Sequence, residues 1–348
     1  MKILLSGGGS IGHVAPCVAV AHALREQEPG MELHFLCSDR PEEQEFLRKE
    51  GLPFTPISLP RRSWKFPFIF FRALREAGRA LDAFRPDAIF SKGGAVSVPV
   101  ALAARRRRIP IVLHESDAVM GRANRLIAKW AKTVCTGMPL SYRLSPATYN
   151  IVHTGNPIRP ALTQGSRLQG LAITGLPGKK PVLLVIGGSQ GAQALNEVVT
   201  AHLDALLQQC DIIHITGPGK AGASPRPGYW SCPFAQEYMP HLFATANLAL
   251  SRSGASVITE LAANGIPTIL VPLRGVAQDH QETNARAAEK SGGCIVMEQK
   301  NLPAALVPTL TRYLKDKTAL ATMGEKMRTL YRPEAAKEIA NILSQARK

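Results

Sequence analysis

The six cysteines of this chain (Cys17, Cys37, Cys135, Cys210, Cys232 and Cys294) are scattered, with no C-x-x-C pair among them. Neither a zinc site nor a disulfide framework fits that spacing, so they read as reduced core thiols. No apolar run approaches the ~20 residues that span a bilayer. The opening Met1-Lys2-Ile3-Leu4-Leu5-Ser6 reaches glycine too early for a signal peptide, and the expectation is a chain that stays in the cytoplasm. A D-x-D carboxylate pair is absent, which removes the usual Mg²⁺ clamp for a diphosphate, and no metal ligand set is proposed.

Acid is also short: 42 Lys and Arg stand against 26 Asp and Glu, a net charge of +16. From Arg61 to Lys132, sixteen basic residues face five acidic ones, so most of the excess sits in one part of the first half. An anionic partner is expected there. Basic motifs interleaved with aromatics in the manner of RNA-binding modules, basic zippers and zinc fingers are missing, so nucleic acid is not that partner. A lipid surface fits better: Arg61 to Arg72 places five aromatic rings among basic residues, Arg75 and Arg79 follow, and Arg105 to Arg108 needs a counter-charge. The same aromatic segment also reads as a helix packed into the core with solvated charges outside.

At 348 residues with 45% hydrophobic content, two α/β domains are expected. Lys2–Ser6 reads as a strand, Gly7-Gly8-Gly9-Ser10-Ile11-Gly12-His13 as a turn, and Val14–Glu28 as an amphipathic helix. The turn satisfies G-x-G-x-x-G, with Asp39 as a loose candidate for the acid of a dinucleotide site; the P-loop pattern fails because His13 and Val14 stand where Lys and Ser/Thr belong. Further strands are expected at Met31–Cys37, Phe54–Ile57 and Ile109–Leu113, the last delivering His114-Glu115-Ser116-Asp117 at its carboxyl end. Thr163–Lys180 reads as a linker. Pro181–Ile186 and the turn Gly187-Gly188-Ser189-Gln190-Gly191-Ala192 then repeat the opening grammar and run into a helix, Gln193–Gln208. Strands at 212–215, 247–250, 268–271 and 294–296 alternate with helices, which predicts a parallel sheet.

Ser251 to Asn284 reads as one ligand-gripping unit. Ser253-Gly254-Ala255-Ser256 offers backbone N–H groups where a helix begins, a place suited to a diphosphate. Glu260 follows on that helix as an acceptor for ribose hydroxyls, and Asp279, His280, Gln281 and Asn284 open the next helix as sugar-hydroxyl partners. Together they point to a nucleotide-sugar.

Seven landmarks carry a family resemblance: GGSIGHVAP from Gly8, KGGAVSVP from Lys92, HES-D from His114, GNPIR from Gly155, GGSQGA from Gly187, SRSGA with TELAANGIP from Ser251, and DHQETNA from Asp279. In order, spacing and combination the chain resembles the MurG family of peptidoglycan glycosyltransferases over nearly its whole length. The resemblance implies the GT-B architecture, two Rossmann-like α/β domains facing a cleft. Residues 1–160 would receive the acceptor and the membrane, and 161–333 would bind UDP-GlcNAc, with a helix from about 334 to 348 packing back on the first domain. It also implies inverting transfer of GlcNAc from UDP-GlcNAc to the 4-hydroxyl of MurNAc in lipid I, giving lipid II. No cofactor is implied, and the implied place is the cytoplasmic face of the inner membrane, near other cell-wall synthesis proteins.

Carried over by position, Ser10, Ile11 and Gly12 would line the cleft near the donor diphosphate and the acceptor, and Asp117 would contact substrate. Arg159, Ser189, Met239 (through its backbone), Ala255, Ser256 and Glu260 would hold UDP, and Gln281 the GlcNAc hydroxyls. His13 and Glu115 are the candidate general bases, and Glu115 reads equally as an orienter of His13. Three departures stand out. Ile11 replaces a glycine, Pro60 to Trp64 replaces a glycine-bearing loop, and Asp117 stands where Asn often follows. Other readings are a nicotinamide-dependent oxidoreductase, a glycolipid synthase or UDP-GlcNAc epimerase of the same fold, and a non-catalytic membrane scaffold.

Overall fold

A computed structural model of the chain describes residues 1–58, 66–140, 149–188, 190–220, 222–275 and 279–346. The described residues divide into two compact units, Met1–Arg159 with Arg332–Lys348, and Pro160–Tyr331.

The first unit runs β1 (Lys2–Gly7), α1 (Ile11–Gln27), β2 (Glu32–Ser38), α2 (Pro41–Lys49), β3 (Phe54–Ile57), α3 (Phe66–Phe84), β4 (Ala88–Gly93), α4 (Ser97–Arg106), β5 (Ile111–Glu115), α5 (Arg122–Ala128), β6 (Thr133–Thr136) and β7 (Ile151–His153). Its sheet is wholly parallel, in the order β3-β2-β1-β4-β5-β6-β7. Both faces are covered, so the central strands are continuous apolar runs rather than alternating ones. Ile3 and Leu5 pack on one side, with α1; Leu4, Ile89 and Leu113 pack on the other, with α3 and α4.

The second unit runs α6 (Arg167–Thr174), β8 (Val182–Ile186), α7 (Gln193–Ala201), α8 (Leu203–Gln209), β9 (Asp211–Ile215), β10 (Tyr229–Cys232), α9 (Met239–Thr245), β11 (Leu248–Ser251), α10 (Ala255–Ala263), β12 (Thr268–Leu270), α11 (His280–Glu289), β13 (Cys294–Val296), α12 (Leu302–Lys315) and α13 (Lys317–Arg328). Its sheet is again parallel, β10-β9-β8-β11-β12-β13. The last helix, α14 (Ala335–Gln345), belongs to the first unit. It buries Ile339, Ala340 and Leu343 in the core that holds Val14, Val18 and Ala21 of α1.

Four expectations need correction. The stretch 163–180 is not a bare linker: Ser166 accepts from Gln169 N as an N-cap, Gly175 closes the helix at φ 65°, and α6 lies between them, packed on α9. The expected helix Gln193–Gln208 is two, with His202 between them at φ −106° and its ring 2.9 Å from the Val198 carbonyl. Strand β5 runs two residues later than expected, so His114 and Glu115 are its last two residues and Ser116 and Asp117 follow its carboxyl end. Helix α1 starts at Ile11, so His13 lies in its first turn rather than in a loop.

Candidate functional site

In each sheet the strand order reverses beside the first strand, between β1 and β4 and between β8 and β11. Open α/β sheets hold ligands outside the carboxyl ends of their strands at such a point. The glycine-rich turns follow β1 and β8.

In the first unit the turn after β1 is held from below by an acid that sequence reasoning missed. Glu43, 1% exposed, accepts from Gly9 N (2.6 Å), Ser38 N (3.2 Å) and the Ser38 hydroxyl (2.7 Å). A dinucleotide cradle directs such N–H groups to a pyrophosphate. Here the Gly9 N–H is already committed to a carboxylate, which removes the anchor of the nicotinamide reading. Its only signal in the sequence was an acid in the first turn of α2, a pattern shared by many solvated helix starts.

Ser10 is the N-cap of α1, with extended backbone (φ −170°), and its carbonyl accepts from His13 N at 3.0 Å. Ile11 opens the helix, and it is not among the residues of positive φ, so the missing glycine costs the loop no strain. His13 Nδ1 lies 2.9 Å from the Gly8 carbonyl. A carbonyl only accepts, so Nδ1 carries the proton and the neutral ring keeps its basic lone pair on Nε2. Gly94, at φ 84°, crosses this turn closely: a Cβ there would sit 2.8 Å from Gly8 O and 3.3 Å from His13 Nδ1.

Glu115 is 4% exposed and accepts from Asp117 N (3.0 Å), Gly121 N (3.0 Å) and Asn124 Nδ2 (2.8 Å). None of its hydrogen bonds goes to His13. Burial, and after it the Asp117 charge, pushes its carboxyl above the usual carboxylate range. Its bonds shape the turn that carries Asp117 and cap the start of α5. His114 is fully buried and held neutral, its pKa pulled to about 3 by burial and then by Lys92; one ring nitrogen bonds the Gly155 carbonyl at 3.0 Å. Arg159 is engaged within the first unit, with Nη1 3.1 Å from Glu50 Oε1 and its guanidinium over the Phe46 ring.

In the second unit, Ser189 lies outside the described residues. The rest of its turn is tightly built: Gly191, at φ 67°, passes so close to Thr216 that a Cβ would meet the Thr216 carbonyl at 2.2 Å. Ala255 is the buried first residue of α10, and Ser256 and Glu260, four apart, are half-buried on one stripe of it. Gln281 joins them through the loop before α10: Ser253 Oγ donates to Gln281 O (2.8 Å), and Asn284 Nδ2 donates to Ser253 O (3.2 Å). The Gln281 side-chain oxygen accepts from Leu273 N (3.1 Å), so its amide group is left as the donor end. Asn284, fully buried, is part of this scaffold rather than a sugar contact. Met239 opens α9, half-buried, with its N–H on Ala235 O at 2.8 Å.

On α3, Phe68 and Phe71 are 77% and 67% exposed. Residues 59–65 of the aromatic-basic segment fall outside the described part. Of the four consecutive arginines, Arg107 finds its counter-charge internally, in a two-bond pair with Asp82 (2.7 Å each), and Arg105 covers the Trp130 ring. No helix of the described residues is long and apolar enough to cross a membrane.

Residues 3–136 match the N-terminal domain, and 182–340 the C-terminal domain, of glycosyltransferase family 28. A protein of Lachnoclostridium phytofermentans named UDP-N-acetylglucosamine–N-acetylmuramyl-(pentapeptide) pyrophosphoryl-undecaprenol N-acetylglucosamine transferase is 39% identical over 311 residues, 86% of this chain and 87% of that one. One of the same name from Clostridium botulinum strain Langeland is 35% identical over 90% of each. The crystal structure of Acinetobacter baumannii MurG superposes with a TM-score of 0.75 at 27% identity, covering 99% of both chains. A UDP-GlcNAc 2-epimerase from Neisseria meningitidis reaches 0.73 at 16% identity and shares the fold. With a parallel α/β sheet in each unit, the GT-B pattern, the chain belongs to glycosyltransferase family 28 and, within it, to the MurG proteins.

Proposed function

We propose that the protein transfers N-acetylglucosamine from UDP-GlcNAc to the 4-hydroxyl of the N-acetylmuramyl sugar of lipid I, inverting the anomeric carbon. The observation that carries this reading is the Ser253 junction, which ties the start of α10, and with it Ser256 and Glu260, to Gln281 on α11. Diphosphate, ribose and hexose hydroxyls thereby find an N–H array, a carboxylate and an amide in one unit. Ser189, Met239 and Ala255 complete the UDP contacts, and Arg159 keeps its pair with Glu50 in the first unit. Ser10, Ile11, Gly12 and Asp117 border the acceptor.

The step is a direct displacement. His13 Nε2 takes the proton of the attacking hydroxyl, a contribution of ~10²–10⁴ in rate. The C1–O bond to the diphosphate breaks as the new C1–O bond forms, and UDP leaves with the electron pair. Backbone N–H groups and the α10 dipole stabilise its charge. Glu115 acts as a positioning residue for the Asp117 turn.

The acceptor is lipid-linked, so the first unit works as a peripheral protein on the anionic cytoplasmic membrane face, beside other cell-wall synthesis proteins. The exposed Phe68 and Phe71 enter the acyl boundary. Further along α3 a depression of about 240 Å³, lined by Arg75, Arg79 and Arg106 together with the Arg107–Asp82 pair, receives headgroup phosphates on the arginines left unpaired among the described residues. Vesicle sedimentation tests this part, and unchanged binding by a Phe68→Ser/Phe71→Ser variant removes it.

Incubation of the purified protein with radiolabelled UDP-GlcNAc and lipid I tests the reaction, and a product carrying both sugars is expected. Epimerised UDP-sugar with no lipid-linked disaccharide establishes the epimerase reading instead, which the shared fold keeps in play.

A further inference from the structure

The two units share a five-residue pattern at equivalent places. Ser91-Lys92-Gly93-Gly94-Ala95 and Ser251-Arg252-Ser253-Gly254-Ala255 both read S-[K/R]-x-G-A. Each spans the end of the strand beside the first strand of its sheet, where the strand order reverses. Ser91 pairs with Ser6 of β1, and Ser251 with Ile186 of β8.

Both cations are buried. Lys92 is 3% exposed and Arg252 7%. Neither has an ion pair among the described residues, and each is held by neutral groups. Lys92 Nζ donates to the Ser116 hydroxyl at 2.5 Å. Arg252 Nη1 donates to the Val271 carbonyl at 3.0 Å, and Nη2 to Gln299 Oε1 at 2.7 Å. Glu115, the acid next to Ser116, spends its oxygens on Asp117 N, Gly121 N and Asn124. A buried charge without a partner is costly, and proteins seldom keep one unless a ligand or network compensates it. The Glu115 charge reaches Lys92 but is shared with those three donors, and Arg252 meets no carboxylate at ion-pair distance among the described residues, so both switch points leave room for a ligand's negative charge.

We propose that Lys92 and Arg252 are counter-charges for two diphosphates, Lys92 for that of the lipid-linked acceptor and Arg252 for that of the nucleotide-sugar donor. This rests on the transferase reading above, which gives the reaction two diphosphate-bearing substrates. Arg252 lies two residues before Gly254, the N-cap of α10, so their Cα atoms are at most about 7.6 Å apart. Lys92 lies beneath the turn after β1, where a Cβ on Gly7 would touch Lys92 Cβ at 3.2 Å. Both act at a distance, as positioning residues that set the potential at the anion site. With roughly 8 Å between cation and diphosphate and an effective dielectric near 20, one charge would be worth about thirtyfold in Kd.

Four variants test it: Arg252→Gln and Arg252→Lys, Lys92→Gln and Lys92→Met. Titration calorimetry with UDP and with uridine, and KM for UDP-GlcNAc and for lipid I, are the readouts. Arg252→Gln is expected to weaken UDP about thirtyfold while uridine affinity and the lipid I KM stay within about twofold, and Arg252→Lys to recover most of the UDP affinity. Lys92→Gln and Lys92→Met are expected to raise the lipid I KM by a similar factor and to leave UDP affinity unchanged. Equal losses of UDP and uridine, both KM values moving together, or no change at all overturns the proposal. So does loss of the folded melting transition in every neutral variant of a residue, because its charge is then structural. If wild-type protein neither binds UDP nor turns over lipid I, the transferase reading itself fails. Wild-type turnover with indifferent variants removes the counter-charges alone.

Discussion

The Ser253 hydroxyl donates to the main-chain carbonyl of Gln281 at 2.8 Å, and the Ser253 carbonyl accepts from Asn284 Nδ2 at 3.2 Å. One small residue thereby sets the distance between the N-terminus of α10 and that of α11. These two bonds tie the start of α11 to the loop before α10, and the Leu273 N–H holds the Gln281 side chain.

Removing that hydroxyl should therefore act on donor binding more than on folding. Ser253→Ala is expected to cost about 1 kcal/mol of stability, the ordinary net worth of one hydrogen bond. The KM for UDP-GlcNAc should rise several-fold while the lipid I KM stays put. A thermal melt and steady-state kinetics check both, and an unchanged donor KM would show that Gln281 is held without Ser253.

The sheets were legible because buried parallel strands are apolar runs: Val182–Ile186 and Cys294–Val296 stand out among polar neighbours. Thr133–Thr136 and Tyr229–Cys232 were not, since Thr, Ser, Cys and Trp make no such run, and their strand character comes from pairing with β5 and β9. In the site, loops and helix starts could be placed from glycine and polar spacing. Glu43 and Asn284 could not be interpreted, because a carboxylate holding a turn and an amide holding a loop differ from surface residues only in what lies opposite them.

His13 carries the sharpest kinetic expectation. Its Nδ1–H on Gly8 O leaves Nε2 as the proton acceptor, so His13→Gln should lower kcat by ~10²–10⁴ with little change in the UDP-GlcNAc KM. Rates measured with both substrates saturating decide it. A kcat within a few-fold of wild type would give His13 a loop-holding role only.

Gly94 separates geometry from chemistry. At its φ of 84°, an added Cβ would come within 2.8 Å of Gly8 O, so Gly94→Ala strains the backbone by about 1–2 kcal/mol and pushes on the turn that holds His13. A kcat loss of at least about tenfold is expected with both KM values nearly unchanged. Gly30→Ala, with nothing within 4 Å of the new Cβ, is the control and should behave as wild type. If Gly94→Ala loses stability and keeps its kcat, the two turns are not coupled as described.

Acid should weaken the second unit through His214. Its ring is fully buried; one nitrogen lies 2.9 Å from the Tyr229 hydroxyl and the other 3.0 Å from Asn196 Oδ1. Asn196 donates its amide to the Thr216 carbonyl, so Oδ1 accepts from Nε2–H, and Nδ1 must accept from Tyr229. The neutral ring thus braces Thr216, against which Gly191 of the glycine turn packs. Burial draws the His214 pKa to about 4, below the unfolded value near 6.5. The unfolded chain then binds the extra proton as pH falls, so the stabilisation is full above pH ~6.5 and is lost progressively down to about 4. By pH 5 the loss is about 2 kcal/mol. Denaturant melts at pH 7 and pH 5 on wild type and His214→Gln isolate it, because His114 titrates alike in both. The wild-type drop should exceed that of the variant by about 2 kcal/mol, and equal drops would mean that His214 does not carry the acid sensitivity.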